Sequence, residues 1–151
     1  MTENRVEKAV SYFENGLSCA QAIFTTYGPV FGISESCAVR ISCGLGGGVA
    51  HLAQTCGAVT GASLVLGLKC EENTELQQAK TDTYNLVQNL AARFEKVNGS
   101  LNCRQLTGCD LNDPNDMDRF KNGIKQSRCY SYVRLTAEML EELLELRNRS
   151  E

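Results

Sequence analysis

The sequence predicts an all-α fold: one domain over residues 1–151, a bundle of about five to seven helices around a central Gly/Ala-rich helix. Three observations carry this. Apolar residues recur at helical spacing along most of the chain, and strand alternation is nearly absent. Cap and stop signals bracket those stretches. Residues 41–68, ISCGLGGGVAHLAQTCGAVTGASLVLGL, form one long apolar run crowded with small side chains.

The first helix is expected over residues 3–15, with Val6, Ala9, Val10 and Phe13 on one face and Gly16 as its stop. Ser18 and Gln21 make a capping-box pattern that opens the second helix. That places Cys19 in a first turn, where unpaired N–H groups favour a thiolate, so its pKa is expected to be lowered. Gly28-Pro29 ends this helix, and Ser34 caps a third that runs through Val39 and Ile41. Cys37 and Cys43 lie six residues apart, on different helical faces, so they do not read as a local metal pair. Gly44, Gly46, Gly47 and Gly48 mark a bend; they lack the phosphate-loop pattern and no strand precedes them.

The central helix is expected over residues 50–68. Glycine is about 1 kcal/mol worse than alanine inside a helix, so its repetition here needs a reason. Ala53, Gly57 and Gly61 recur every four residues, as do Ala58 and Ala62, which makes a flat strip for close packing. Cys56 borders the strip. His51, the one histidine of the chain, stands five residues earlier as a base, ligand or polar partner. The stretch is long enough to span a membrane, but His51, Gln54, Thr55, Thr60 and Ser63 interrupt it, so no membrane insertion is expected.

The longest helix starts at Asn73 or Thr74, where Thr74 and Gln77 repeat the capping-box signal, and it ends at Asn98-Gly99. Leu76, Ala79, Thr83, Tyr84, Val87, Leu90, Ala91 and Phe94 form its apolar stripe, long enough to serve as a homodimer face as well as an internal one. Ser100 caps a short turn holding Cys103, with Cys109 just beyond. A short helix over residues 116–123 and a last one from Cys129 through Leu135, Met139, Leu143 and Leu146 complete the chain. Glu138, Glu141, Glu142 and Glu145 read as the solvated face of that last helix.

Composition narrows the function. Net charge is −3 with no basic cluster, so nucleic acid is not an expected partner. The start MTENRVEKAV is charged and helical in pattern and does not read as a secretory signal, so a cytoplasmic location is expected. Eight cysteines are present, and in a reducing compartment these are more often catalytic or metal-binding than structural disulfides. There is no C-x-x-C, no H-E-x-x-H and no G-x-S-x-G. What remains is thiol or cluster chemistry from cysteines distant in sequence. Cys19, Cys56, Cys103 and Cys129 lie in four separate segments, which a helical bundle can bring together at one end.

Cys56-Gly57-Ala58-Val59-Thr60-Gly61 reads C-G-A-x-x-G. With Cys19 before it and Cys103 and Cys129 after it, the order resembles the C_GCAxxG_C_C family of proposed redox-active proteins, over nearly the whole chain. The resemblance implies an all-helical, cysteine-based redox protein acting through Cys19, Cys56, Cys103 and Cys129; Gly57, Gly61 and His51 are the candidate cofactor-binding residues. Cys37, Cys43, Cys70 and Cys109 fall outside the motif. Two mechanisms then compete. In one, a low-pKa Cys56 or Cys19 attacks a disulfide or oxidant and Cys103 or Cys129 resolves it, using an unidentified redox partner. In the other, the four thiolates hold an iron–sulfur cluster, or zinc as a structural variant. A non-catalytic helical interaction module is the third reading.

Overall fold

The computed structural model describes residues 4–146. They form an all-α bundle without a β-sheet: α1 (Arg5–Glu14), α2 (Cys19–Tyr27), α3 (Glu35–Ile41), α4 (Gly57–Leu68), α5 (Leu76–Asn98), α6 (Cys103–Thr107), α7 (Pro114–Arg119) and α8 (Tyr130–Leu143). A π-helical segment, Phe120–Cys129, joins α7 to α8 without a break. Among the described residues no helix is long and apolar enough to cross a membrane.

The expected caps explain most boundaries. Ser18 and Gln21 form both halves of the capping box on α2. The Ser34 hydroxyl accepts from the Cys37 amide at the start of α3. Gly16 and Gly99 take the left-handed conformation that ends α1 and α5. Three boundaries differ. The expected start of α1 at Glu3 lies outside the described residues; Asn4 caps the helix instead. The Glu75 carboxylate, not Thr74, caps α5 by accepting from the Gln78 amide at 3.0 Å. Asn102, not Ser100, caps α6.

The larger correction concerns residues 50–56, which are not helical. Gly47, Gly48, Val49, Ala50 and His51 are consecutively left-handed, with φ of 65°, 69°, 69°, 48° and 63°, and Ala53 follows at 55°. Each non-glycine there costs about 1–2 kcal/mol of backbone strain. The loop is held by its own bonds, among them Ala50 N–H to Gly44 O at 3.0 Å and Gln54 N–H to Gly48 O at 2.8 Å. A Cβ on Gly48 would meet Gln54 N at 2.6 Å, so only glycine fits. Helix α4 therefore begins at Gly57 with Cys56 as its N-cap, and Ala53 does not belong to the small-residue strip.

The strip works over its remaining length. Cβ atoms at Gly57 and Gly61 would lie 3.0 Å and 2.8 Å from Ala20 backbone atoms, so α4 rests almost directly on the α2 backbone. Ala58 and Ala62 are buried beside it. Helix α2 shares the centre, with Ala22, Ile23, Phe24, Thr25, Thr26 and Tyr27 all buried. The core thus forms around the α2–α4 pair, with α1, α5 and α8 packed on it. The α5 stripe is buried only at Leu90 and Phe94, while Leu76 and Tyr84 are exposed.

Glu141 is not on a solvated face. It is buried and receives Arg5 in a two-point ion pair at 2.9 Å and 3.1 Å, with the Tyr27 hydroxyl donating at 2.9 Å. Periodicity put it on the polar side of α8, but α1 and α2 cover that position. Glu141→Ala removes a two-point partner of a partly buried cation and one of the acceptors of the Tyr27 hydroxyl, which also reaches Ala137 O at 3.1 Å. It is expected to lower stability by about 2–3 kcal/mol, seen as a melting temperature lower by about 5–10 °C.

Candidate functional site

Four cysteines meet at one end of the bundle. Each stands at a helix boundary: Cys19 opens α2, Cys56 caps α4, Cys103 opens α6, and Cys129 closes the π-helical segment. All four line one cavity of about 350 Å³.

Local pairing explains the convergence. Gly57 lets Cys19 approach α4, since a Cβ there would lie 3.1 Å from the Cys19 Cβ. Cys56 and Cys103 are brought together by a short antiparallel bridge between Thr55 and Asn102. Its bonds run from Cys56 N–H to Leu101 O at 2.8 Å and from Cys103 N–H to Gln54 O at 2.6 Å. Cys129 is held toward α6 by Arg128 and the Tyr132 hydroxyl, which both donate to Leu106 O, at 3.2 Å and 3.0 Å. The remaining wall includes Gly46–Gly48 of the left-handed loop, Phe13, Phe120, Tyr132, Lys121 and Lys125.

The thiols differ in acidity. Burial pushes Cys56 up to about 12, although the Ala58 and Val59 amides at the head of α4 favour its thiolate. Burial also pushes Cys103 up to about 11, with neighbouring Cys129 and Cys109 adding to it. The electrostatics of the cavity set Cys19 as hydrogen-bond donor toward Cys129. That bond is the main reason Cys129 is lowered; burial opposes it, and Lys125 and Arg128 reinforce it. The same bond, with burial and the nearby thiols, raises Cys19. The expectation of an acidic Cys19 at a helix start is therefore corrected. Its helix-start position is outweighed by hydrogen bonding to Cys129, by burial and by the neighbouring thiols.

The other expected residues fall as follows. Gly57 and His51 line the cavity. His51 is exposed, and its carbonyl accepts from the Asn112 side chain at 2.9 Å. Gly61 is not at the cavity; it is one turn further along α4, against Ala20. Cys37 and Cys43 are exposed. Cys109 is buried in a satellite cluster with Cys103 and Leu111. Cys70 is half-buried beside Thr83. All eight cysteines are free thiols. Among the described residues no three His, Cys, Asp or Glu side chains are placed to hold a metal ion together.

Lys121 and Lys125 were not singled out from the sequence. Their signal was there: Lys121, Lys125 and Cys129 follow at four-residue steps, which one helical face brings together.

Fold and site define a class: an all-helical protein whose cysteines are gathered on one cavity beside a glycine-rich loop. A family model described as "Putative redox-active protein (C_GCAxxG_C_C)" matches residues 17–143, and the chain belongs to that family. No curated protein and no solved structure matches it.

Proposed function

We propose that the protein carries out thiol–disulfide exchange through Cys129 and Cys19. The single observation behind this is that Cys19 and Cys129 line one cavity together with Lys125, where the Cys19 thiol and the Lys125 and Arg128 charges favour a Cys129 thiolate. A nucleophilic thiolate needs a lowered pKa and an adjacent partner to resolve the mixed disulfide.

The steps balance as follows. The Cys129 thiolate attacks one sulfur of a substrate disulfide, RS–SR, forming Cys129–S–SR and releasing RS⁻. Cys19 gives up its proton and attacks the Cys129 sulfur, forming the Cys19–Cys129 disulfide and releasing the second RS⁻. The substrate is reduced by two electrons to two thiols, and the protein pair is oxidised by two. Cys56 and Cys103, pushed to about 12 and about 11, remain protonated near neutral pH and serve as cavity wall in this scheme. The reverse sequence oxidises a substrate dithiol.

The test is oxidation of the reduced protein by excess bis(2-hydroxyethyl) disulfide, acid quenching, alkylation of remaining thiols and non-reducing peptide mapping. A cross-linked peptide pair joining Cys19 to Cys129, two hydrogens lighter than its parts, is the expected product. Dominant linkage through Cys56 or Cys103, or no intramolecular bond at all, would sink the assignment.

A further inference from the structure

The walls of the cysteine cavity carry an unbalanced charge. Lys121 and Lys125 line it, and no aspartate or glutamate does. Among the described residues neither lysine forms an ion pair with a carboxylate; the Lys125 ammonium sits 4.6 Å from the centre of the Phe13 ring. Several cations elsewhere do find a carboxylate. Arg5, Lys8, Arg93 and Arg134 are each paired with a glutamate. The chain as a whole is acidic, at net charge −3. Cationic side chains left without a counter-charge therefore stand at the one place where four thiols face a common space.

Size points the same way. A cavity of about 350 Å³ is at the small end of the range for low-molecular-weight ligands. Low-dielectric walls of a single sign concentrate oppositely charged solutes and speed their arrival, by about tenfold or more.

Building on the thiol-exchange reading, we infer that the substrate is a small anionic disulfide, one bearing carboxylates that Lys121 and Lys125 receive while its sulfurs meet Cys129. In free solution this preference is unfavourable, because a thiolate repels an anionic disulfide. The protein would reverse that order.

The experiment compares three small disulfides of similar length: doubly anionic 3,3′-dithiodipropionate, neutral bis(2-hydroxyethyl) disulfide and doubly cationic cystamine. The rate of Cys19–Cys129 disulfide formation is measured for each and divided by its rate with a small free thiol under the same conditions. After this normalisation the anionic disulfide is expected to outpace the cationic one by about tenfold or more. The spread should collapse toward unity in about 0.5 M salt, where such attraction is screened. It should narrow in Lys121→Gln and narrow further in Lys121→Glu. Lys121 suits this test because it is exposed and does not contribute to the acidity of Cys129. Equal normalised rates, a cationic preference, or a spread indifferent to salt and to Lys121 would overturn the anionic-substrate inference while leaving thiol exchange standing. Failure of all three disulfides to oxidise the pair would overturn both.

Discussion

Cys129→Ser is expected to remove the fast phase of iodoacetamide labelling near neutral pH, lowering the rate by about tenfold or more, while every other cysteine is retained. The reason is that thiolate, not thiol, is the nucleophile, and Cys129 is the one cavity thiol held below the ordinary range. Its protection comes first from the hydrogen bond given by Cys19, so the pH profile should follow that donor. A lowered pKa means that Cys129 stays ionised as pH falls past the point where a free thiol, at about 8.5, has gained its proton. Cys19→Ala removes the donor and leaves burial unopposed on that side. The labelling midpoint should then move upward. Cys19→Ser keeps a hydroxyl donor and should restore much of the shift, which a merely structural role for Cys19 would not predict. Mass spectrometry of the labelled protein reads the site directly. If Cys56 or Cys103 labelled first, the assignment of roles within the cavity would be wrong.

Gly61→Leu should be the most damaging single change in the core, costing about 3 kcal/mol or more of stability. A Cβ at this position would sit 2.8 Å from the Ala20 carbonyl oxygen and 3.0 Å from its Cα. Both are backbone atoms of a buried helix, so neither swings aside, and α4 must lift from α2. The gain from replacing glycine in a helix, about 1 kcal/mol, is far too small to compensate. Gly67 is the internal control. It lies on the same helix, is exposed, and has nothing within 4 Å of an added Cβ. Gly67→Ala should therefore raise stability by about 0.5–1 kcal/mol through helix propensity alone. Denaturant melts of the two variants moving in the same direction would disprove close α2–α4 packing as the reason for the glycines.

Much of the fold was legible because its signals are local. The Ser18–Gln21 box, the Ser34 cap and the Gly99 stop each depend on residues within one turn, and each forms as expected. The left-handed loop before Cys56 was not legible. Residues 50–56 lead into α4 without a proline or glycine, and cysteine is not among the preferred capping residues, so periodicity runs straight through them. The π-helical segment escaped for a related reason: Gly123 looked like a break, yet packing carries the helix past it to Leu143. Glu141 looked solvated because periodicity reports which side of a helix is polar and not which neighbour covers it.

The sequence by itself determined the helical class, most helix ends, and the order of cysteines that ties the chain to its family. These follow from short-range hydrogen bonding and side-chain spacing, which a linear string contains. Only the tertiary structure decided which thiol is acidic. That property depends on Cys19 and Cys129, 110 residues apart in sequence, facing one cavity within reach of the Lys125 and Arg128 charges. Desolvation and charge proximity are properties of three-dimensional neighbours, and no local pattern around either cysteine encodes them.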